Sequence, residues 1–280
     1  MTRKFFSYNT FLFLAIVTSL TACNSNKTKT NAADSTKKDS LAVQANSGPG
    51  STVKLDSSKR YIYLTWDDAP QPPGTSVCKN IFHQQGVKAT FFVVGFNNVG
   101  PQRGRILDSL RNGYPEILIA NHSFTHGFQN NYKKFYQMPD SAVQDFLKNE
   151  DALKIPVQII RLPGNNSWVG KGVMRGPKST MNVCRKLDSL GYKVIGWDIE
   201  WQFKGGDIPI QGADEMVKKV NTIFDQGITN EQNAVVILAH DRMFKKPQYA
   251  DSLVKFISVL KQDPRNVFET IDHYPMVMRK

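Results

Sequence analysis

Two neighbouring aspartates and two histidines four residues apart are the side chains of this protein best suited to chemistry. Asp67 and Asp68 end the apolar run Leu64-Thr65-Trp66, and His122 and His126 bracket Ser123-Phe124-Thr125 at the end of another. Two imidazoles at that spacing can share one face of a helical turn or cap a loop. An acid from a distant strand would complete a three-ligand metal site with an open position. The second carboxylate is more than the ion needs, which makes it the candidate general base. HExxH chemistry is excluded, because no glutamate stands between the histidines and the base must come from elsewhere. Successive strand residues point to opposite faces, so the aspartate pair poses a geometric question. Pro70 cannot continue a ladder; the strand is expected to break at the pair, turning both carboxylates toward one site.

The elements that must position these groups alternate. Beta-rich runs fall at 61–66, 89–94, 117–120, 157–160, 194–197, 234–239 and 267–271, with helix-like segments between most of them. Near-continuous apolar runs such as Val235-Val236-Ile237-Leu238-Ala239 suit a parallel sheet buried on both faces. The expected fold class is α/β, a distorted (β/α) barrel of about seven parallel strands. Barrels of this kind build their sites where strands end in loops. Five clusters follow strand ends here: Asp67-Asp68, His122 with His126, Arg161-Leu162-Pro163-Gly164-Asn165, Trp197-Asp198-Ile199-Glu200-Trp201, and Leu238-Ala239-His240.

In this order the clusters resemble the motifs TFDD, HSxxH, RxPxG, DxxDW and LxH of the polysaccharide deacetylase family, the NodB homology domain of carbohydrate esterase family 4. The resemblance runs from about Arg60 to about Pro275. It implies that Asp67 is the catalytic base and that Asp68, His122 and His126 hold a divalent ion. Zn²⁺ is favoured, with Co²⁺, Ni²⁺ or Mn²⁺ also compatible with two nitrogens and a carboxylate. It further implies that His240 is the general acid, that Arg161 orients the base, and that Asp198 or Glu200 supports the acid histidine. The oxyanion would lie between the ion and a backbone amide, that of Gly164. Pro163, Gly164, Trp168 and Trp201 are candidate substrate contacts, whereas Trp197 reads as core. The chain departs from the pattern where Gly164 replaces an aromatic residue and where the fourth motif lacks its second aspartate. The implied activity is removal of N-acetyl groups from an acetylated amino-sugar polysaccharide. The weakened fourth motif favours, as alternative, a carbohydrate-binding relative without turnover; O-deacetylation is a third possibility within the family.

Composition bounds these readings. The 280 residues, 40% of them hydrophobic, suffice for one substantial core, assigned to a catalytic domain at 60–280. The net charge of +12 is spread thinly without a long basic run, which argues for mild attraction to anionic envelope polymers rather than nucleic acid. Residues 1–23 read as an export signal: Arg3 and Lys4, an apolar stretch at 11–20, then Leu20-Thr21-Ala22-Cys23, which resembles a bacterial lipobox and implies lipid on Cys23. The expected location is therefore the cell envelope, on a membrane through that lipid. Residues 24–59 are polar with almost nothing large to bury, and read as a flexible tether. Cys78 and Cys184 could pair or remain buried thiols. His83 and His273 carry no motif and read as structural. The segment 170–179 lacks the glycine spacing of a phosphate loop and carries Pro177, so no nucleotide is expected.

Overall fold

The computed structural model describes residues 48–279; the expected signal, Cys23 and most of the tether lie outside them. One curled sheet organises the rest. Its long central strand β1 (Arg60–Ala69) pairs in parallel with a strand at Ala234–His240 along 61–67. The other side of β1 is shared: Asn266–Phe268 pairs with its first residues and β2 (Ala89–Val93) with its last. Beyond β2 follow β3 (Ile117–Asn121), β4 (Ile159–Ile160), an antiparallel pair β5 (Trp168–Gly170) and β6 (Val173–Arg175), and β7 (Lys193–Val194), which lies between β4 and β5. A two-residue β8 (Ile199–Glu200) closes the opposite edge against Ala234–His240. A hairpin of β9 (Phe203–Lys204) and β10 (Ile208–Pro209) stands apart, and β11 (Ala234–His240) and β12 (Asn266–Phe268) complete the chain order.

The result is a distorted α/β half-barrel, as the alternation requires. Among the described residues no pairing joins β8 to β5 or β6, so the arc stays open. Two expectations need correcting. The run at 194–197 forms strand only at Lys193–Val194, and the fourth cluster is not a loop after it, since Ile199–Glu200 is itself a strand beside β11. The run at 267–271 starts as β12 but turns into a 3-10 segment at Ile271–His273. Hydrophobicity marks burial rather than strand: Ile195 and Ile271 are fully buried yet belong to no strand.

Both faces of β1 and β11 are buried, the condition that makes their sequences continuously apolar. Helices α1 (Gly74–Gln85), α2 (Gly100–Arg111), and the later Ala213–Gln226 and Pro247–Leu260 cover the outer face. Trp66, Phe82, Phe244, Trp201 and Phe256 form a chain of tilted and edge-on rings inside the largest core cluster. A second cluster, holding Phe135, Phe146, Leu187 and Cys184, packs the helices at Pro139–Leu153 and Met181–Ser189 onto β4, β5 and β7. Cys78 lies in the first cluster and Cys184 in the second, and both are free thiols.

The expected tether ends earlier than 59. Residues from Gly48 onward are described, and Leu55 packs against the core. The Gly50 amide donates to Asp272 Oδ2 at 3.0 Å, and the Asp56 amide to the Tyr61 hydroxyl oxygen at 2.8 Å. Backbone hydrogen bonds and one leucine hold a segment that its composition marks as unstructured. Among the described residues no helix is long and apolar enough to cross a membrane.

Candidate active site

The aspartate pair does not end β1. The strand runs on to Ala69, and the register slips between Asp67 and Ala69 because Asp68 adopts φ +73°. This bulge, not a break, turns two adjacent side chains toward one cleft. Pro70 follows it and ends the ladder.

His122 leaves the end of β3, and His126 opens a turn whose handedness is unusual. From His126 to Asn130 every φ is positive, between +52° and +69°, which is one turn of left-handed helix with a single glycine in it. Each non-glycine residue in that conformation costs about 1–2 kcal/mol. The turn is held by side chains. Thr125 Oγ1 accepts from the Phe128 amide at 2.9 Å, Ser123 Oγ accepts from the Gly127 amide at 3.1 Å, and Asp145 Oδ2 fixes Thr125 through its amide and its hydroxyl. Asn121 and Asn149, both fully buried, tie the start of the loop to Val93 and Phe146 carbonyls.

The ring nitrogens show what these devices achieve. His122 Nδ1 meets the Arg161 carbonyl oxygen at 2.9 Å and His126 Nδ1 meets Asn130 Oδ1 at 2.5 Å. Each partner is an acceptor, so each Nδ1 carries the proton and each Nε2 presents a lone pair. Both lone pairs face Asp68 Oδ1, at 3.6 Å from His122 and 3.1 Å from His126. Asp68 Oδ1 is buried and receives no hydrogen bond. An orphaned carboxylate oxygen opposite two imidazole lone pairs, all within 4.8 Å of one another, fits a divalent cation.

Burial pushes the His122 pKa down to about 3, aided by nearby His126. Burial also acts on His126, but the Asp68 carboxylate outweighs it and raises its pKa. Desolvation would raise Asp68, yet the surrounding histidines hold it well below the ordinary carboxylate value.

Asp67 is fixed differently. Arg161, fully buried at the end of β4, donates from Nη1 to Asp67 Oδ1 at 3.0 Å and to Thr65 Oγ1 at 2.7 Å. Its Nε and Nη2 reach the Ile195 and Gly196 carbonyls, and its plane lies 4.3 Å from the Phe92 ring centroid. Every side of the guanidinium is occupied, so a charge with no access to water is still satisfied. Asp67 Oδ2 lies beside the same imidazoles, 3.5 Å from His122 Nε2. Burial raises the Asp67 pKa against the opposing pull of Arg161.

His240 ends β11 with Nε2 3.8 Å from Asp68 Oδ2 and its buried Nδ1 unpartnered. Burial lowers its pKa, with the two aspartates opposing. Glu200 lines the same cleft, and burial followed by repulsion from Asp67 raises its carboxyl pKa. Asp198 is placed elsewhere. Its two oxygens accept the Asn230 and Val236 amides at 2.7 and 2.8 Å, so it ties β8 to its neighbours, and burial pushes it up to about 6.

The cleft holds about 880 Å³, and its walls include Phe96, Tyr132, Gly164, Trp197, Phe203 and Leu238. The expected tryptophan contacts are reversed. Trp201 is fully buried, donates to the Gln211 carbonyl at 2.9 Å and belongs to the core ring chain; Trp168 is stacked on Tyr274 away from the cleft. Trp197, read as core, lines the cleft instead. Its side chain emerges because β7 ends three residues earlier. Pro163 is buried and its carbonyl accepts the Tyr136 hydroxyl at 2.6 Å, while Gly164 beside it is exposed in the cleft. Gly164 has φ +65°, and a Cβ there would stand 2.6 Å from the Tyr132 ring, so glycine is required where the family pattern has an aromatic. His83 is an exposed partner of Glu116, and His273 is buried beside Glu269.

The motifs did not reveal Arg242, Asp207, Phe203, Thr65 or Asn130. Arg242 makes ion pairs with Asp68 and with Asp207, and its guanidinium lies over the Phe203 ring. A charged residue two positions after His240 was the only available signal.

A family model described as "Polysaccharide deacetylase" matches residues 54–166, a span that holds Asp67, Asp68, His122, His126 and Arg161. A peptidoglycan-N-acetylglucosamine deacetylase of Bacillus cereus is 24% identical over 216 residues, covering 75% of this chain and 86% of that one. Among solved structures, a Streptococcus mutans CE4 esterase superposes with a TM-score of 0.56 at 22% identity, covering 76% of this chain and 86% of its own. The catalytic domain of a Eubacterium rectale peptidoglycan N-acetylglucosamine deacetylase gives a TM-score of 0.56 at 21% identity, covering 81% and 95%. The structural likenesses bear on the fold.

Proposed function

The chain belongs to the polysaccharide deacetylase family, and on that premise we propose that it is a metal-dependent hydrolase removing N-acetyl groups from amino-sugar residues of an envelope or extracellular polysaccharide. The observation that carries this reading is the convergence of Asp68 Oδ1 with two imidazole lone pairs, beside an Asp67 oxygen that no protein donor occupies. A divalent ion held by Asp68, His122 and His126 would polarise the acetyl carbonyl and acidify a water in its open position.

The chain's own groups do the rest. Asp67 Oδ2 takes the proton from the attacking water while Arg161 keeps Oδ1 in place and the carboxylate charged. Gly164 lines the cleft, and its amide would serve as the donor that a developing oxyanion needs. His240 delivers a proton to the departing sugar nitrogen, without which an amine leaves poorly. Its depressed basicity makes it the stronger donor once protonated. Glu200 is the acid of the fourth cluster that reaches this cleft, and we assign the support of His240 to it rather than to Asp198. Trp197, Phe203 and Phe96 offer apolar faces to sugar rings.

Export and a lipid on Cys23 would place the enzyme at the envelope where such polymers lie. Incorporation of labelled palmitate that persists in Cys23→Ser would count against that anchor.

The deciding experiment is acetate release from N-acetylated glucosamine oligomers and from peptidoglycan, with and without added Zn²⁺. Metal-stimulated release that disappears in Asp67→Asn is the expected result. Oligomer binding with no release would instead favour the carbohydrate-binding alternative, for which the unpartnered Nδ1 of His240 is the motivating observation. Release confined to acetyl esters would assign the O-deacetylase reading.

A further inference from the structure

The two oxygens of Asp68 have separate surroundings. Oδ1 faces the lone pairs of His122 and His126, whereas Oδ2 faces Arg242 Nη1 on one side and His240 Nε2, at 3.8 Å, on the other. Arg242 is itself held from behind. Its Nε meets Asp207 Oδ1 at 3.1 Å, and its plane stacks 4.7 Å from the Phe203 ring centroid. Asp207 and Phe203 both belong to the β9–β10 hairpin, a short antiparallel pair outside the main sheet. The hairpin is tied down at its base by Gln202 and Gln211, whose amides bond each other. Phe203 also meets the His240 ring edge-on at a centroid distance of 5.0 Å.

We infer that this hairpin is a positioning element for the metal site proposed above, acting through Asp207 and Arg242 on the outer oxygen of Asp68. A carboxylate with both oxygens free can rotate, bind an ion through two oxygens, or pair with His240. Arg242 removes those options: it occupies Oδ2, leaves Oδ1 alone to face the ion, and stands on the oxygen that would otherwise capture His240. Asp207 holds Arg242 through Oδ1 and Lys245 Nζ through Oδ2 at 2.6 Å, so its part is to fix the direction of the guanidinium N–H groups rather than to cancel their charge. Arginine suits the role because its planar fork serves two carboxylates in a fixed relation; a lysine ammonium on a flexible stem does not.

The inference rests on the metal-site reading, and the test separates the two. Zn²⁺ and Co²⁺ affinities of the full chain are measured by chelator competition for the parent protein, Arg242→Ala, Arg242→Lys and Asp207→Asn, with melting of each metal-free protein recorded alongside. The expected outcome is affinity about 10-fold weaker in Arg242→Ala, in the range usual for groups that orient metal ligands. Little recovery is expected in Arg242→Lys, with a smaller loss in Asp207→Asn, and the double variant Arg242→Ala/Asp207→Asn should bind no more weakly than Arg242→Ala. The Co²⁺ absorption band should shift in Arg242→Ala, a change that loss of packing alone would not produce. A parent protein that takes up no ion overturns the metal-site reading and this inference with it. A parent that binds while Arg242→Ala binds as tightly or more tightly, or while Arg242→Lys is fully restored, overturns the inference alone.

Discussion

Asp67 and Asp68 are adjacent in sequence yet meet different partners: one is held by a buried arginine and keeps a free oxygen, the other sits among three imidazoles. Asp67→Asn should therefore lower the rate of acetate release by about 10²–10⁴-fold, the usual worth of a general base, while ion affinity stays close to the parent value. Loss of both together would contradict the division of labour. Asp198 has a thermodynamic signature instead. Its folded pKa, about 6, stands above the ordinary 3.8, so its contribution to stability is full below pH 3.8 and is lost as pH rises through 6. Urea unfolding at pH 5 and pH 7.5 should show stability falling with pH by at most about 1.4 kcal/mol per unit from this group. Asp198→Asn should flatten that slope. The tryptophans part in the same way: Trp201→Ala should cost about 3–5 kcal/mol of stability, whereas Trp197→Ala should chiefly raise KM for oligomers. The sequence pointed to both as aromatic residues near the rim, but which ring faces the cleft depends on where β7 stops.

At the scale of elements, two backbone departures build the site: the bulge at Asp68 and the left-handed turn at His126–Asn130. Neither was legible from the motifs. Ala69-Pro70 signalled an irregularity, but a broken strand and a bulged one have the same residues and differ in whether the partner β2 follows, which it does up to Val93. The turn carries only one glycine, so its handedness has no local signal and is imposed by Thr125, Ser123 and Asp145. Asp145→Ala should weaken ion affinity and speed amide exchange at 126–130 while the sheet keeps its protection. Unchanged exchange there would mean the turn is held by other contacts. Gly164→Ala is the matching test across the cleft: with φ +65° and the Tyr132 ring in the way, it should raise KM and move Tyr132.

For the whole molecule, the sheet leaves the N-terminal side of β1 flanked by two strands and uses the segment from Gly48 to seal that end, through Leu55 and Asp272. A chain beginning at Arg60 should melt lower, by about 2–4 °C for each kcal/mol of lost burial, with its ion affinity intact because the site lies at the far ends of the strands. An equal melting temperature would return residues 48–59 to the tether.

The amino-acid sequence by itself determined the alternation of apolar strands and helices, and hence the half-barrel. It also determined the order of the five clusters, four of them at strand ends, because burial on both faces writes a readable pattern and reactive residue types are few. Only the tertiary structure decided which acid of the fourth cluster enters the cleft, which tryptophan lines it, and that Asp207 and Arg242 reach Asp68. Those outcomes depend on strand ends, backbone handedness and contacts between residues far apart in the chain, and none of these leaves a periodic trace in the order of amino acids.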